Sequence, residues 1–208
     1  MANRAAETDF FLERLAAVPA FAVVRDDNPD AAARRAEACW DAGIDLVEVS
    51  LALDPELSSL RAVCERAAGL GRIAGAGTVC TADQVHAAVE AGAAFAVAPG
   101  LHQEAVRTAR ATGLPYLPGV STPTETAGAL ALGYHTLKLF PALLLGPDWV
   151  RSLSKPFPGA RFIAVGGITA DNARDFLDAG AVGVGIGSGV APGELDRLVA
   201  ALRGAAPR

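Results

Sequence analysis

The sequence predicts an α/β fold, a (β/α)8 TIM barrel of near-minimal size with an extra N-terminal helix. Three observations lead there. Eight short apolar runs rich in β-formers recur along the 208 residues, each followed by an alanine-rich stretch of helical pattern with polar edges. Successive runs start about 20 to 28 residues apart, the length of one strand, one helix and two short loops. Helix boundaries are also marked: Ala-Gly pairs close three of the stretches, and Asn or Thr followed by Pro or Ala-Asp opens others. An open doubly wound sheet commonly has five or six strands and repeats less regularly, so eight units favour closure.

In chain order, Asp9 to Val18 reads as a short amphipathic helix ahead of the repeat. The first strand is Phe21–Arg25, with Asn28-Pro29 opening its helix and Ala42-Gly43 ending it. Ile44–Ser50 is the second strand. Arg72–Thr78 is the third, followed by a start signal at Thr81-Ala82-Asp83 and an end at Ala91-Gly92. Ala94–Pro99 and Tyr116–Val120 are the fourth and fifth, the latter leading into Thr122-Pro123. Thr136–Phe140 is the sixth. Phe162–Gly166 is the seventh, with a helix start expected at Thr169-Ala170-Asp171. Ala179-Gly180 precedes the last strand, Val182–Gly187. No linker or low-complexity tract interrupts the series, so one domain is expected over residues 1–208, with residues 1–19 as an N-terminal helix belonging to it.

Composition narrows the function classes. Hydrophobic residues make up 51% and charged residues 20%, which is globular. A net charge of -5 without any basic run excludes a nucleic-acid footprint. The N-terminus carries charges throughout, which leaves no apolar signal-peptide core. The longest uncharged run, Ala179 to Gly193, is glycine-rich and too short for a membrane span. Cys39, Cys64 and Cys80 are widely spaced, which suits free thiols in a reducing cytoplasm.

The chemistry centres on Thr136-Leu137-Lys138-Leu139-Phe140-Pro141. Only two lysines, Lys138 and Lys155, occur against sixteen arginines. Positive surface charge is thus supplied by arginine, and a lysine inside an apolar strand calls for something arginine cannot do. A desolvated lysine can lose its proton and attack a carbonyl to form a Schiff base. The plain alternative is a lysine that reaches along the strand to pair with a carboxylate. Because strand side chains alternate, an inward Lys138 carries Thr136 and Phe140 with it and leaves Leu137 and Leu139 facing the helices. The same rule turns Leu46, Glu48 and Ser50 inward and Val47 and Val49 outward.

Glu48, between valines near the end of the second strand, is the matching ionisable group. In an apolar pocket its carboxyl pKa rises, which suits a general acid/base, although a structural counter-ion for Lys138 or Arg25 fits as well. Arg25 ends the first strand, where its fork of donors can hold a carboxylate or make a rim ion pair. Thr78 ends the third strand, placed to donate to a carboxylate or to cap the next helix. Val165-Gly166-Gly167-Ile168-Thr169 and Gly185-Ile186-Gly187-Ser188-Gly189 close strands seven and eight, where barrels bind phosphate on backbone N–H groups. His86, His102 and His135 have no second ligand at metal spacing, so neither a metal nor another cofactor is expected. Gly75-Ala76-Gly77 lacks the third glycine of a dinucleotide fingerprint. Cys80 falls near the rim without an obvious base.

Taken together, Val47-Glu48-Val49, Gly75-Ala76-Gly77-Thr78-Val79, Pro99-Gly100, Pro118-Gly119-Val120-Ser121-Thr122, Leu137-Lys138-Leu139-Phe140-Pro141 and Gly166-Gly167-Ile168 stand in order over most of the chain. This pattern resembles the class I aldolases of 2-dehydro-3-deoxy-phosphogluconate, phosphogalactonate and 4-hydroxy-2-oxoglutarate. The resemblance implies Lys138 as the Schiff-base lysine and Glu48 as general acid/base. It implies substrate contacts from Arg25, Thr78, Pro99, Phe140 and Val165, and phosphate contacts from Gly166, Gly167, Gly187 and Ser188. It further implies a keto-acid substrate, no nucleic-acid or membrane partner, and a homotrimer. Gluconate-type members carry an Arg where this chain has Ala52 and a Thr where it has Val165. Galactonate-type members match better, with a first-strand Arg, a Val before Gly-Gly and a Gly-Pro after the lysine strand (Gly146-Pro147), although they usually have Asn at the place of Ala52.

The expected reaction is cleavage of a 2-keto-3-deoxy-6-phospho sugar acid, the galactonate or gluconate, to pyruvate and glyceraldehyde 3-phosphate. Two alternatives accompany it. One is the same chemistry on 4-hydroxy-2-oxoglutarate. The other is a non-aldolase phosphate-ligand barrel, either an isomerase using Glu48 as base or a binding protein.

Overall fold

Strands that are apolar on both faces must be covered on both, and ring closure with helices outside achieves this. The computed structural model describes residues 6–26, 28–51, 56–187 and 192–203. Its strands are β1 (Ala20–Val24), β2 (Leu46–Ser50), β3 (Gly75–Gly77), β4 (Phe95–Val97), β5 (Tyr116–Leu117), β6 (Gly119–Val120), β7 (Thr136–Leu139), β8 (Arg161–Ile168) and β9 (Gly183–Gly187). They pair in parallel in the order β5-β4-β3-β2-β1-β9-β8-β7-β6. The two ends of that order are one stretch of chain, because only Pro118 separates β5 from β6. Tyr116–Leu117 pairs with β4 and Gly119–Val120 pairs with β7, so the sheet closes into a barrel of eight strand positions.

The fifth strand was expected as one run, and Pro118 divides it because proline has no N–H for the ladder. Its carbonyl still accepts the backbone N–H of Lys138 at 2.9 Å. Gly119 lets two backbones approach closely: a Cβ there would sit 2.2 Å from the Pro99 carbonyl carbon.

The helices are α1 (Ala6–Leu15), α2 (Pro29–Asp41), α3 (Glu56–Gly69), α4 (Ala82–Glu90), α5 (Gln103–Thr112), α6 (Pro123–Ala131), α7 (Ala142–Leu145), α8 (Pro147–Ser154), α9 (Ala173–Asp178) and α10 (Pro192–Leu202). Asn28 caps α2 by accepting the Ala31 N–H, and Thr81 with Gln84 and Thr122 with Glu125 form reciprocal capping boxes. None of these helices is long and apolar enough to cross a membrane.

Strand ends shift by up to three residues, with β3 shorter than the expected Arg72–Thr78 and β8 longer than the expected Phe162–Gly166, and two helix ends differ for identifiable reasons. The N-terminal helix was expected to reach Val18 but ends at Leu15, because Val18 precedes Pro19 and a residue before proline is pushed out of helical geometry. The helix expected from Thr169 begins at Ala173. Asn172 accepts the Thr169 N–H and donates to the Gly167 carbonyl, both at 2.9 Å, and this holds the intervening residues in a turn.

Alternation sorts the core into two layers. Val47, Val49, Leu137 and Leu139 pack outward against the helices. Phe21, Val23, Leu46, Phe95, Val97, Leu117, Ile163 and Val165 fill the bore, joined from below by Phe11 and Leu15 of α1. The Phe11 ring stands edge-on to Phe95 with centroids 5.8 Å apart. Inward glycines make room for these rings: a Cβ on Gly75 would lie 2.3 Å from the Phe95 ring, and one on Gly185 would lie 2.7 Å from Phe21. Gly75→Ala therefore overpacks the bore and lowers unfolding stability by about 1–3 kcal/mol in urea titrations. Phe95→Leu in the same chain restores part of the loss; an equal loss in both backgrounds would mean that the two positions do not compete for space.

Candidate active site

The C-terminal ends of the strands converge at one mouth, and the ionisable groups picked from the sequence meet there. Lys138 on β7 and Glu48 on β2 both point into the bore from strands facing one another across the ring. Lys138 Nζ lies 3.9 Å from Glu48 Oε1, with the side chains 7% and 1% exposed. That separation exceeds a direct hydrogen bond, so proton exchange requires a small side-chain shift or one bridging water. Glu48 Oε2 is buried without a hydrogen-bond partner among the described residues. Burial pushes the Glu48 carboxyl above its ordinary range, against the opposing pull of Lys138 and, after it, Arg25. A buried ion pair of this kind can shed both charges by moving one proton from the ammonium to the carboxylate. The product is an amine nucleophile beside a carboxylic acid.

Backbone choices around the pair are specific. Gly77 faces Glu48, and a Cβ there would lie 2.7 Å from Oε1, so the glycine keeps space for the carboxyl. The Phe140 ring, half-buried at the end of the lysine strand, has its centroid 5.5 Å from Nζ. Thr136, one layer below Lys138, is buried with its hydroxyl unpartnered among the described residues. Cys80 is half-buried after β3, and although burial raises its thiol pKa, the Lys138 charge pulls in the opposite direction.

Around this centre, Arg25 is exposed at the end of β1, and its charge reaches Glu48. Thr78 sits just past β3 with φ 59°, the one non-glycine residue with positive φ among the described residues. Its hydroxyl lies 3.2 Å from that of buried Ser50. Pro99 is half-buried past β4 with its backbone against Gly119. Val165 is buried on β8 and pairs with Gly185. Gly166 and Gly167, with φ of 100° and 76°, interrupt the β8–β9 ladder between Val165 and Ile168. A Cβ on Gly166 would press to 3.1 Å from the Phe140 ring, and one on Gly167 to 2.6 Å from Leu143. Gly187 is exposed at the end of β9. Ser188 and Ala52 lie outside the described residues.

The structure thus brings Lys138, Glu48 and Phe140 together, sets Thr78 against Ser50, and leaves Arg25 and Gly187 open at the rim. Ser50 and Gly77 were not singled out as site residues from the sequence. Alternation from Glu48 already turned Ser50 inward, but its pairing with Thr78 depends on strand register. The three histidines stand apart: His86 is exposed on α4, His102 precedes α5, and His135 contacts the Gly159 carbonyl. Among the described residues no group of three His, Cys, Asp or Glu is placed to hold a metal ion.

A parallel barrel with a buried lysine and carboxyl at its catalytic end defines a class of proteins equipped for amine–carbonyl chemistry. A family model described as KDPG and KHG aldolase matches residues 12–198. The 2-dehydro-3-deoxy-6-phosphogalactonate aldolase of Escherichia coli (strain K12) is 37% identical over 172 residues, 82% of this chain and 83% of that protein. A probable enzyme of the same name from Rhizobium meliloti (strain 1021) is 35% identical over 172 residues, 82% of this chain and 80% of its own. A solved structure described as native KDPGal superposes with TM-score 0.83 at 33% identity, covering 90% of this chain and 96% of that one. KDPG aldolase from Legionella pneumophila, with pyruvate captured as a covalent carbinolamine intermediate, superposes with TM-score 0.80 at 28% identity, covering 94% and 98%. The chain belongs to the KDPG and KHG aldolase family, whose members are lyases of the class I type.

Thr78 gives a test of the mouth's backbone. The left-handed conformation penalises any residue with a Cβ, so Thr78→Gly should be about 1 kcal/mol more stable than Thr78→Ala by thermal or urea denaturation. Equal stabilities would show that the backbone at this position relaxes.

Proposed function

We propose that this protein cleaves a 2-keto-3-deoxy-6-phospho sugar acid, foremost the 6-phosphogalactonate, to pyruvate and glyceraldehyde 3-phosphate. The observation that carries the proposal is the buried Lys138–Glu48 pair, 3.9 Å apart at the barrel mouth. The galactonate preference rests on the two relatives of that name and on the Arg25, Val165 and Gly146-Pro147 pattern.

In this reading, the amine of Lys138 attacks the C2 ketone to give a carbinolamine, and Glu48 passes protons as water leaves. The resulting iminium draws electrons from the C3–C4 bond once Glu48 has taken the C4 hydroxyl proton. The aldehyde departs, leaving pyruvate on Lys138 as an enamine. Protonation at C3 and attack of water then free pyruvate and restore the amine. Arg25 and Thr78 hold the carboxylate, and Pro99, Phe140 and Val165 line the reacting end. Gly166, Gly167, Gly187 and Ser188 receive the phosphate on backbone N–H groups and a hydroxyl. A phosphate held at the far rim orients the chain of the substrate without entering the desolvated centre. Three copies are proposed to assemble, on the family resemblance alone.

Borohydride added with pyruvate should leave a reduced adduct on the peptide holding Lys138. Lys138→Arg, which keeps the charge and removes the nucleophile, should yield neither adduct nor cleavage. Cleavage by that variant would overturn the reading, and so would an unmodified wild type, as expected of an isomerase or a binding protein. Comparing aldehyde products and kcat/KM for the phosphogalactonate, the phosphogluconate and 4-hydroxy-2-oxoglutarate tests the substrate assignment; preference for the last would replace it.

The raised pKa of Glu48 fixes the sign of the pH profile. A base must be ionised to accept a proton, so kcat/KM falls as pH drops through the Glu48 pKa, and this acid limb lies above the ordinary carboxylate range. Glu48→Gln should remove the limb and about 10²–10⁴-fold of the rate.

A further inference from the structure

We propose that Ser50 is a positioning residue that fixes the direction of the Thr78 hydroxyl proton toward the substrate carboxylate. The proposal rests on the aldolase reading and deepens it. Ser50 is the last residue of β2, two positions beyond Glu48, and is fully buried on the same inward face. It stands across the ladder from Gly77, and the Leu51 N–H donates to the Gly77 carbonyl at 2.8 Å, which ties the two strand ends at this level. The Ser50 and Thr78 hydroxyls are 3.2 Å apart, and either oxygen can be the donor. Among the described residues, Thr78 is the hydrogen-bonding partner of the Ser50 side chain.

The proton count then selects one arrangement. Each hydroxyl has a single proton, and an ionised carboxylate only accepts. When Thr78 gives its proton to the carboxylate, the proton between the two hydroxyls must come from Ser50. The order is therefore Ser50 to Thr78 to carboxylate, and the first bond polarises the second. Thr78 cannot be aimed by ordinary strand alternation, because its φ of 59° takes it out of extended geometry. A buried hydroxyl anchored on the neighbouring strand supplies the missing restraint on its side chain. With Ser50 removed, the Thr78 oxygen loses its donor and its hydroxyl turns freely.

The experiment measures the pyruvate concentration that gives half-maximal borohydride-trapped adduct in wild type, Ser50→Ala, Ser50→Thr, Thr78→Ala and the Ser50→Ala/Thr78→Ala double variant. Ser50→Ala should raise that concentration about fivefold to tenfold while the adduct at saturation stays complete, and Ser50→Thr should return most of the loss. In the Thr78→Ala background, loss of Ser50 should add less than twofold, because the interaction it supports is already gone. A wild-type value for Ser50→Ala, or equal effects of its loss in both backgrounds, would overturn the assignment and leave the aldolase reading intact. Absence of any adduct in the wild type would overturn the aldolase reading and this assignment with it.

Discussion

Lys138 and Glu48 lie 3.9 Å apart where almost no solvent reaches, and the rest of the barrel makes that arrangement tenable. Two opposite charges out of water lose hydration worth several kcal/mol each, and their attraction returns it only with good geometry. Here the geometry is incomplete, since one carboxyl oxygen has no partner among the described residues. Burial accordingly favours the protonated carboxyl of Glu48, against the pull of the Lys138 charge. A stable surface bridge would be inert. A buried amine beside a buried carboxyl is the arrangement that the proposed carbonyl chemistry calls for.

Irregular backbone also surrounds this pair. Thr78, Gly166 and Gly167 have positive φ, Gly77 clears the space around Glu48, and the β8 ladder slips between Val165 and Ile168. Positive φ also falls on glycines that follow helices, among them Gly43, Gly92, Gly113, Gly133 and Gly180, where no Cβ is penalised. The one non-glycine residue with positive φ among the described residues, Thr78, stands at the mouth, where a packed surrounding can hold such strain.

Much of this was legible in the chain. Eight apolar runs of two-sided character required a covered sheet, and alternation from Lys138 and Glu48 put both groups inside, with Leu137, Leu139, Val47 and Val49 against the helices. Side-chain partners set by three-dimensional register were not legible. The Ser50–Thr78 contact joins residues 28 apart, and nothing local announces it. Pro118 was visible as a residue, yet its division of one strand into two ladders depends on the neighbours it meets. Asn172 overrode the start signal at Thr169 because its side chain found Gly167, an encounter created by the glycine bulge.

The cork at the other end of the bore bears on the chemistry as well. Phe11 and Leu15 of α1 stop the base of the barrel beneath Phe95. Trimming that helix would leave the lowest rings of the column without their cover and loosen the packing on which the layers above it rest, although every residue at the rim remained in place. The packing of the catalytic end is thus a property of the whole column of side chains, set as much by its floor as by its opening.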